Sequence, residues 1–199
     1  MQTYTIVKKM DGLNWDNIPK ASLMHKLHVE DVDIEAFGQL CYDDEYLYVK
    51  LSAKEANIRA EYTGLLDQPC EDSCLEFFFS PIDGDERYFN IEMNPNCCTY
   101  LGFGRNVHNL IRLIPEETNL FSPKAKRTFD GWEVSYQVPF TFIKQFFPDF
   151  APASGKTMRA NFYKCGDLTE QEHYFSWSPI TGEVLSFHRP CDFGRVIFE

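Results

Sequence analysis

The chain has 199 residues, of which 19 are Lys or Arg and 30 are Asp or Glu, so its formal net charge is −11. This acidic composition argues against a nucleic-acid partner or an anionic membrane surface, because both attract clustered basic side chains. Hydrophobic residues make up 44% and aromatic residues 16% of the chain, which excludes a disordered protein. The length predicts a single domain over residues 1–199 that needs no disulfide or metal to fold.

The sequence as given shows no targeting segment. Residues 1–9 have the pattern of a short strand without the apolar centre of a signal peptide, and no stretch approaches the roughly 18 apolar residues of a membrane span. The seven cysteines cannot all pair, and several lie within apolar strand patterns, as is typical of reduced thiols. We therefore expect a cytoplasmic protein that is a monomer or a weak homodimer.

Taken in chain order, most predicted elements are strands, because apolar and polar residues alternate with a period of two. The predicted strands after the N-terminal one are Glu45–Ser52, Ser73–Ser80, Arg87–Asn94, Trp132–Val138, Met158–Cys165 and Phe193–Phe198. Only Phe140–Phe147 has helical spacing, and Pro148 ends it. The predicted fold class is all-β, an antiparallel β-sandwich of immunoglobulin-like or jelly-roll-like type with one short helix near 140–147.

The strand phasing divides the aromatic residues into two sets. One set lies in phase with the apolar faces and is assigned to the core: Phe77, Phe79, Phe89, Trp132, Tyr136 and Phe162. The other set falls out of phase with the core: Tyr46, Tyr48, Tyr88, Tyr163 and Phe187. We expect each strand to bury one face and to present the other to solvent or to a ligand.

Polar side chains in phase on three of these strands form the candidate site. Glu76 interrupts an apolar run, and a carboxylate there needs a partner or access to solvent. The two other strands contribute Tyr88, Asn90, Glu92, Arg159, Asn161 and Tyr163. Such a mixture of hydrogen-bond donors and acceptors suits sugar hydroxyls, each of which both donates and accepts. An ordinary solvated sheet face is the alternative.

A C-terminal stretch, residues 173–194, concentrates aromatic side chains between proline and glycine turns. Exposing so many rings is unfavourable unless something covers them. We therefore predict Trp177 and Phe187, together with Tyr88, as stacking surfaces for a sugar, with His188 and Arg189 at the rim. The alternative is a crossover segment packed under its own rings, with Trp177 in the core.

These segments together resemble the family 9 carbohydrate-binding modules, a group within the DOMON-like β-sandwiches. The resemblance extends from about Phe37 to Glu199 and rests on the order and spacing of several blocks: residues 41–53, 71–81, 87–96, 131–140, 158–167 and the C-terminal end. It implies a stand-alone, non-catalytic domain that binds a glucose- or xylose-type mono- or oligosaccharide, in the context of polysaccharide catabolism.

The resemblance also assigns roles to individual residues. It implies that Glu76 is the strand carboxylate that hydrogen-bonds the sugar, that Asn161 and Tyr163 lie on the amide-bearing strand, and that Phe187 is the aromatic of the final loop. Cys70 stands where the family has its first stacking tryptophan, and a thiol cannot stack on a sugar ring. Half of the aromatic pair expected from the family is therefore missing.

Two other family features have no clear match. Asn90 is the residue nearest to a strand arginine of the family. Calcium is a structural ion in the family, but no acidic loop here has clear ligand spacing, and Asp83 and Asp85 around Gly84 are more simply a hairpin turn. We therefore expect no cofactor.

Two other functions remain open from the sequence. Glu76 and Glu92 lie on strands expected to be neighbours and could form the carboxyl pair of a glycoside hydrolase. The cysteines with His173 and His188 are candidate ligands for a metal or for haem, as in some DOMON-like domains. No cysteine pair has the spacing of a zinc knuckle, so reduced, buried thiols are the simpler interpretation.

Overall fold

The computed structural model describes residues 1–9, 12–27, 32–117 and 119–199. One α-helix, α1 (Phe140–Phe146), and fourteen strands are present in these residues. The strands are β1 (Thr3–Lys8), β2 (Ala21–Ser22), β3 (His25–Lys26), β4 (Glu35–Tyr42), β5 (Tyr46–Lys54), β6 (Cys74–Ser80), β7 (Tyr88–Met93), β8 (Thr99–Gly104), β9 (Ile111–Arg112), β10 (Lys124–Arg127), β11 (Gly131–Pro139), β12 (Thr157–Gly166), β13 (His173–Ser176) and β14 (Gly194–Phe198). No helix in these ranges is long and apolar enough to cross a membrane.

The strands form one curled sheet, whose main path runs β10-β11-β5-β4-β1-β14-β12-β6-β7-β8-β9. β1 joins two halves of this sheet, because its first residues pair with β14 and its last two pair with β4. Both ladders of β1 are parallel, whereas the other ladders of the described residues are antiparallel. Parallel pairing needs a long connection, and β1 is far along the chain from both partners. The sheet is therefore mixed, and the predicted antiparallel arrangement is confirmed only in part, because β1 pairs in parallel with both of its neighbours.

The hydrophobic core lies between the two halves of the curled sheet. All six aromatic residues that the phasing assigned to the core are buried, with exposures of 3% or less. Close approach of the halves depends on Gly38 of β4, since a Cβ atom there would lie 2.4 Å from the ring of Phe162 on β12. The predicted strands and the helix are present with ends shifted by one or two residues, which is the usual uncertainty at the end of an element.

The outer face of β6, β7 and β12 is covered by a second cluster of side chains. Its fully buried members are Phe78, Tyr88, Tyr163 and Phe193, with Leu110, Ile180 and Phe187 packed against them. As a result β6 and β7 are buried on both faces along their whole length. The expectation that each strand leaves one face open is therefore wrong for these two strands, because the C-terminal segment folds back over their outward-pointing rings.

Candidate functional site

A cleft of about 490 Å³ remains where this covering ends, at the edge of the outer face formed by β6, β7 and β12. Its lining residues come from these strands, from β8 and β13, and from four connecting segments. They are Gln68, Cys70, Glu76, Glu92, Tyr100, Val107, Leu110, Cys165, Asp167, Tyr174, Leu185, Ser186, Phe187 and His188.

Two carboxyl groups form the floor of the cleft. Glu76 of β6 lies directly opposite Glu92 of β7 in the antiparallel register, so both side chains point to the same face. The thiol of Cys165 on β12 donates to Oε1 of Glu76 at 2.9 Å. The amide of Asn90 donates to Oε1 of Glu92 at 2.8 Å. Each carboxyl group thus has only a neutral donor beside it.

Aromatic rings form much of the cleft wall. Tyr100 of β8 lies opposite Glu92 in the register, and Tyr174 of β13 lies opposite Cys165. Phe187, in the final loop, stacks on Tyr163 with ring centroids 4.1 Å apart and nearly parallel planes. Because Tyr163 covers one face of Phe187, a ligand can stack only on the other face.

Burial changes the protonation of the floor. It raises the pKa of Glu76 to about 8, and the neighbouring Asp167 adds to this rise. Burial likewise raises the pKa of Glu92 well above its ordinary value, and the charge of Glu76 acts in the same direction. A protonated carboxyl group donates a hydrogen bond and an ionised one accepts, so the pair offers both functions near neutral pH.

The raised pKa of Glu76 predicts that the protein loses stability as the pH rises from 6.5 to 8. The folded state keeps a proton there that the unfolded chain, with a glutamate pKa near 4.3, has already lost, so the free energy of unfolding falls with pH. We expect a fall of about 1–2 kcal/mol across this range, measured by urea denaturation. His173 and His188, whose pKa burial lowers to about 4, are neutral in the folded state but half protonated in the unfolded chain at pH 6.5, so they oppose this fall only near the lower end of the range.

A matched pair of variants isolates this effect. Glu76→Gln should flatten the slope between pH 6.5 and 8, because an amide does not titrate. Glu86→Gln, which removes an exposed carboxyl group in the turn before β7, should leave the slope unchanged. An unchanged slope in Glu76→Gln would contradict the assignment of the titrating group.

The structure brings together four of the residues predicted for the site. Glu76, Glu92, Phe187 and His188 all line the cleft. The hydroxyl of Tyr88 lies 2.8 Å from Nδ1 of His188 and so supports that ring from behind. These contacts place one predicted polar pair and one predicted ring around the same cavity.

Four other predicted residues lie fully buried behind the cleft and hold its parts in place: Tyr88, Asn90, Asn161 and Tyr163. Asn161 donates to the carbonyl oxygen of Ser178 at 3.0 Å and accepts from its amide at 2.8 Å, which anchors the start of the final loop. The hydroxyl of Tyr163 donates to the carbonyl oxygen of Phe187 at 3.1 Å. Their positions correct the expectation that they would lie on an open surface.

The remaining three predicted residues lie away from the cleft. Trp177 is 5% exposed and packs in the core against Tyr4 and Phe162, so it is not available for stacking on a ligand. Arg159 donates to the carbonyl oxygen of Phe193 at 3.1 Å. Arg189 donates to Asp192 at 2.7 Å and closes the final loop.

Ten lining residues were absent from the predicted site, among them Tyr100, Asp167 and Tyr174. Tyr100 shares the face of Glu92 across the β7–β8 pair, so recognising β8 as a strand would have found it. Asp167 directly follows β12, and Tyr174 is the second residue of the short strand β13. Only the pairing of β12 with β13 brings Tyr174 onto the cleft.

Among the described residues, one group could hold a metal ion by geometry. Atoms of Cys74, Glu76 and Cys165 all lie within 4.8 Å of one another. Burial raises the pKa of Cys74 to about 12 and also raises that of Cys165, whereas metal ligation requires thiolates. We therefore interpret the group as protonated thiols that hydrogen-bond beneath the cleft.

The fold and cleft define a β-sheet ligand-binding module with a small polar and aromatic cavity. The model of the family described as carbohydrate-binding family 9 matches residues 5–198, and the chain belongs to this family. A search of the curated proteins found no significant match.

Three solved structures share the fold. A protein from Bacteroides uniformis ATCC 8492, proposed to bind carbohydrate, is 26% identical, with a TM-score of 0.83 over 100% of this chain and 99% of the other. A family 9 module from Caldicellulosiruptor kristjanssonii was solved in complex with cellotriose, at 14% identity and a TM-score of 0.70 over 100% and 94% of the two chains. Its complex with glucose gives 14% and 0.69 over 100% and 96%.

Proposed function

We propose that the chain binds a glucose- or xylose-type mono- or oligosaccharide in the cleft and does not change it chemically. The observation that carries this proposal is the paired carboxyl floor of Glu76 and Glu92 beneath a wall of aromatic rings. Membership of carbohydrate-binding family 9 supports sugars as the ligand class. The cavity, at about 490 Å³, lies within the usual size range of small-molecule sites.

The floor supplies the hydrogen bonds. Glu76 and Glu92 point into the cleft and have unused hydrogen-bonding capacity, because their protein partners are single neutral donors. A sugar hydroxyl can donate to an ionised carboxyl group and accept from a protonated one. The raised pKa values of the pair make both forms accessible near neutral pH.

The wall supplies the apolar contact. Phe187 offers the face that Tyr163 leaves free, and apolar C–H groups of a pyranose can lie against it. Cys70 lines the cleft at the position of the missing stacking tryptophan. Tyr100 and Tyr174 are partly exposed lining residues, and we propose that they replace that lost surface.

Calorimetric titration with glucose, xylose and cellotriose tests the proposal. We expect the wild type to bind at least one of them. We expect Phe187→Ala and Glu76→Gln each to weaken binding roughly tenfold or more, which corresponds to the loss of about 1.4 kcal/mol. Both substitutions remove a group that would touch the sugar.

Two controls separate site effects from general ones. Phe129→Ala removes a fully exposed ring outside the cleft, and Glu86→Gln removes an exposed carboxyl group, so neither should change affinity. Circular dichroism checks that each variant is folded. A wild type that binds none of the three sugars, or Phe187 and Glu76 variants that bind as well as the wild type, would contradict the proposal.

The glycoside hydrolase alternative is less well supported by the geometry. Glu76 and Glu92 lie side by side on one floor, whereas the two carboxyl groups of glycosidases flank the scissile bond. Hydrolysis of an aryl-glycoside panel that disappears in Glu76→Gln would overturn this preference.

A further inference from the structure

The side chains of the cleft that can gain a charge near neutral pH are acidic. Glu76 and Glu92 form the floor, and Asp167 lies at the wall. No lysine or arginine is present among the described residues that line the cleft. Its single histidine, His188, is neutral at pH 7 because burial lowers its pKa to about 4.

The cationic side chains near the cleft, Lys164 and Arg112, contact other groups of the protein. Lys164 lies beneath the floor on the core side, where its ammonium group contacts Glu55 and His173. Arg112 lies against the ring of Tyr100 and donates to backbone carbonyl oxygens of residues 65–67. Among the described residues, no ion pair involves a carboxyl group of the cleft.

The acidic groups of the cleft therefore lack a direct ion-pair partner among the described residues, although the more distant charges of Lys164 and Arg112 lower the pKa of Glu76 and Glu92, respectively, by less than burial raises it. Burial raises the pKa of Glu76, Glu92 and Asp167. The charge of Asp167 adds to the rise at both glutamates, and the charges of Glu172 and Glu71 add to it at Asp167. A cation that entered the cleft would stabilise their ionised forms, whereas an anion would add to the repulsion.

The wall favours the same kind of ligand. Tyr100, Tyr174 and Phe187 line the cleft above the carboxyl groups. Aromatic faces attract ammonium groups through the ring quadrupole, and this attraction is strongest where water is excluded. The aromatic rings and the carboxyl groups thus both favour a ligand that carries an ammonium group.

Resting on the sugar-binding function proposed above, we propose that the cleft prefers an amino sugar, a glucose-type ring with a free ammonium group, and discriminates against uronic acids. The aromatic wall and the three carboxyl groups, which have no ion-pair partner among the described residues, set this order. Neutral glucose falls between the two charged sugars.

Calorimetry at pH 6.5 with glucosamine, glucose and glucuronic acid tests the order. We expect glucosamine to bind at least tenfold more tightly than glucuronic acid, and the ratio to shrink when the salt concentration is raised from 20 mM to 500 mM. Glucose binding with no preference for glucosamine over glucuronic acid overturns this inference and leaves the proposed function intact. If none of these three sugars binds, and xylose and cellotriose do not bind either, both this inference and the proposed function are overturned.

Two aspartate variants separate the cleft from the overall charge of −11. Asp167→Asn should move the ratio of the affinities for glucosamine and glucuronic acid severalfold toward one. Titration of glucose against the same variant provides the reference affinity. Asp149→Asn removes an exposed carboxylate outside the cleft and should leave the ratio unchanged. An equal change in both variants would assign the preference to net charge and overturn the role of the cleft.

Discussion

Replacing Lys164 by Met is expected to lower the free energy of unfolding by about 3–5 kcal/mol, because it leaves a buried carboxylate without its cation. Lys164 is fully buried, and its ammonium group donates to Oε1 of Glu55 at 3.3 Å, to the carbonyl oxygen of Cys165 at 2.9 Å and to Nε2 of His173 at 2.5 Å. All three of its donors are therefore used, although the residue lies in the core.

The partner carboxylate links the two halves of the sheet. Glu55, which follows β5, accepts from the hydroxyl of Ser73 at 2.7 Å and from the indole of Trp132 at 3.0 Å. His173 remains neutral because burial and the charge of Lys164 lower its pKa to about 4, and its Nδ1 donates to the carbonyl oxygen of Gln171. Loss of Lys164 therefore disturbs four other side chains at once: Glu55, His173, Ser73 and Trp132.

Urea denaturation at pH 8 measures this loss under conditions that keep His173 neutral, so that it cannot replace the missing cation. The double variant Glu55→Gln/Lys164→Met should lose less stability than Lys164→Met alone, since it contains no uncompensated charge. A single variant within about 1 kcal/mol of the wild type would show that Glu55 is neutral or solvated without Lys164.

Replacing Asp72 by Ala is expected to cost about 3–5 kcal/mol and also to weaken sugar binding. The carboxylate is fully buried, pairs with Arg59, and accepts from the backbone amides of Glu61 and Tyr62 at 2.9 Å and from the side chain of Asn94 at 2.7 Å. An alanine would leave these donors without their acceptor, among them the charged group of Arg59 and the fully buried amide of Asn94.

The effect on binding follows from the position of Asp72 in the chain. It ends the 3₁₀ turn Pro69–Glu71, which carries Cys70 into the cleft wall. Without the carboxylate, this turn loses its hydrogen bonds to the backbone amides of Glu61 and Tyr62 and keeps the one from the Tyr62 hydroxyl to Glu71. Denaturation and calorimetry on the same sample measure both losses.

Asp67 provides the matched control for Asp72. It also accepts backbone hydrogen bonds within the same loop, from Thr63 at 3.1 Å and Gly64 at 2.7 Å, but it is only partly buried. Water can replace the lost acceptor there, so Asp67→Ala should cost less than about 1 kcal/mol. Equal losses in the two variants would mean that burial is not what makes Asp72 important.

Strands with a clear alternation were predicted correctly from the sequence. β5 and β11 each bury one face and expose the other in part, so their period of two is visible in the residue types. β4 and β8 were missed because both contain glycines at close approaches that break the pattern. In β8, a Cβ atom at Gly102 would lie 1.9 Å from the side-chain oxygen of Asn90.

The alternation of residue types also predicted part of the candidate site. It showed that Glu76 and Glu92 share the outer face, and the structure places them opposite each other. The alternation along the strands could not show which segments cover that face. Asn90 and Tyr163 have the same phase as the cleft residues yet are fully buried, because the final loop packs over their part of the sheet.

The sequence by itself determined the β-rich fold, the core aromatic set and the face that carries the carboxyl groups, because the alternation of residue types is a local property of each strand. Only the tertiary structure decided that β1 makes the sheet mixed, that Trp177 belongs to the core, and that the cleft lies at one edge of the outer face. These features depend on contacts between segments far apart in the chain.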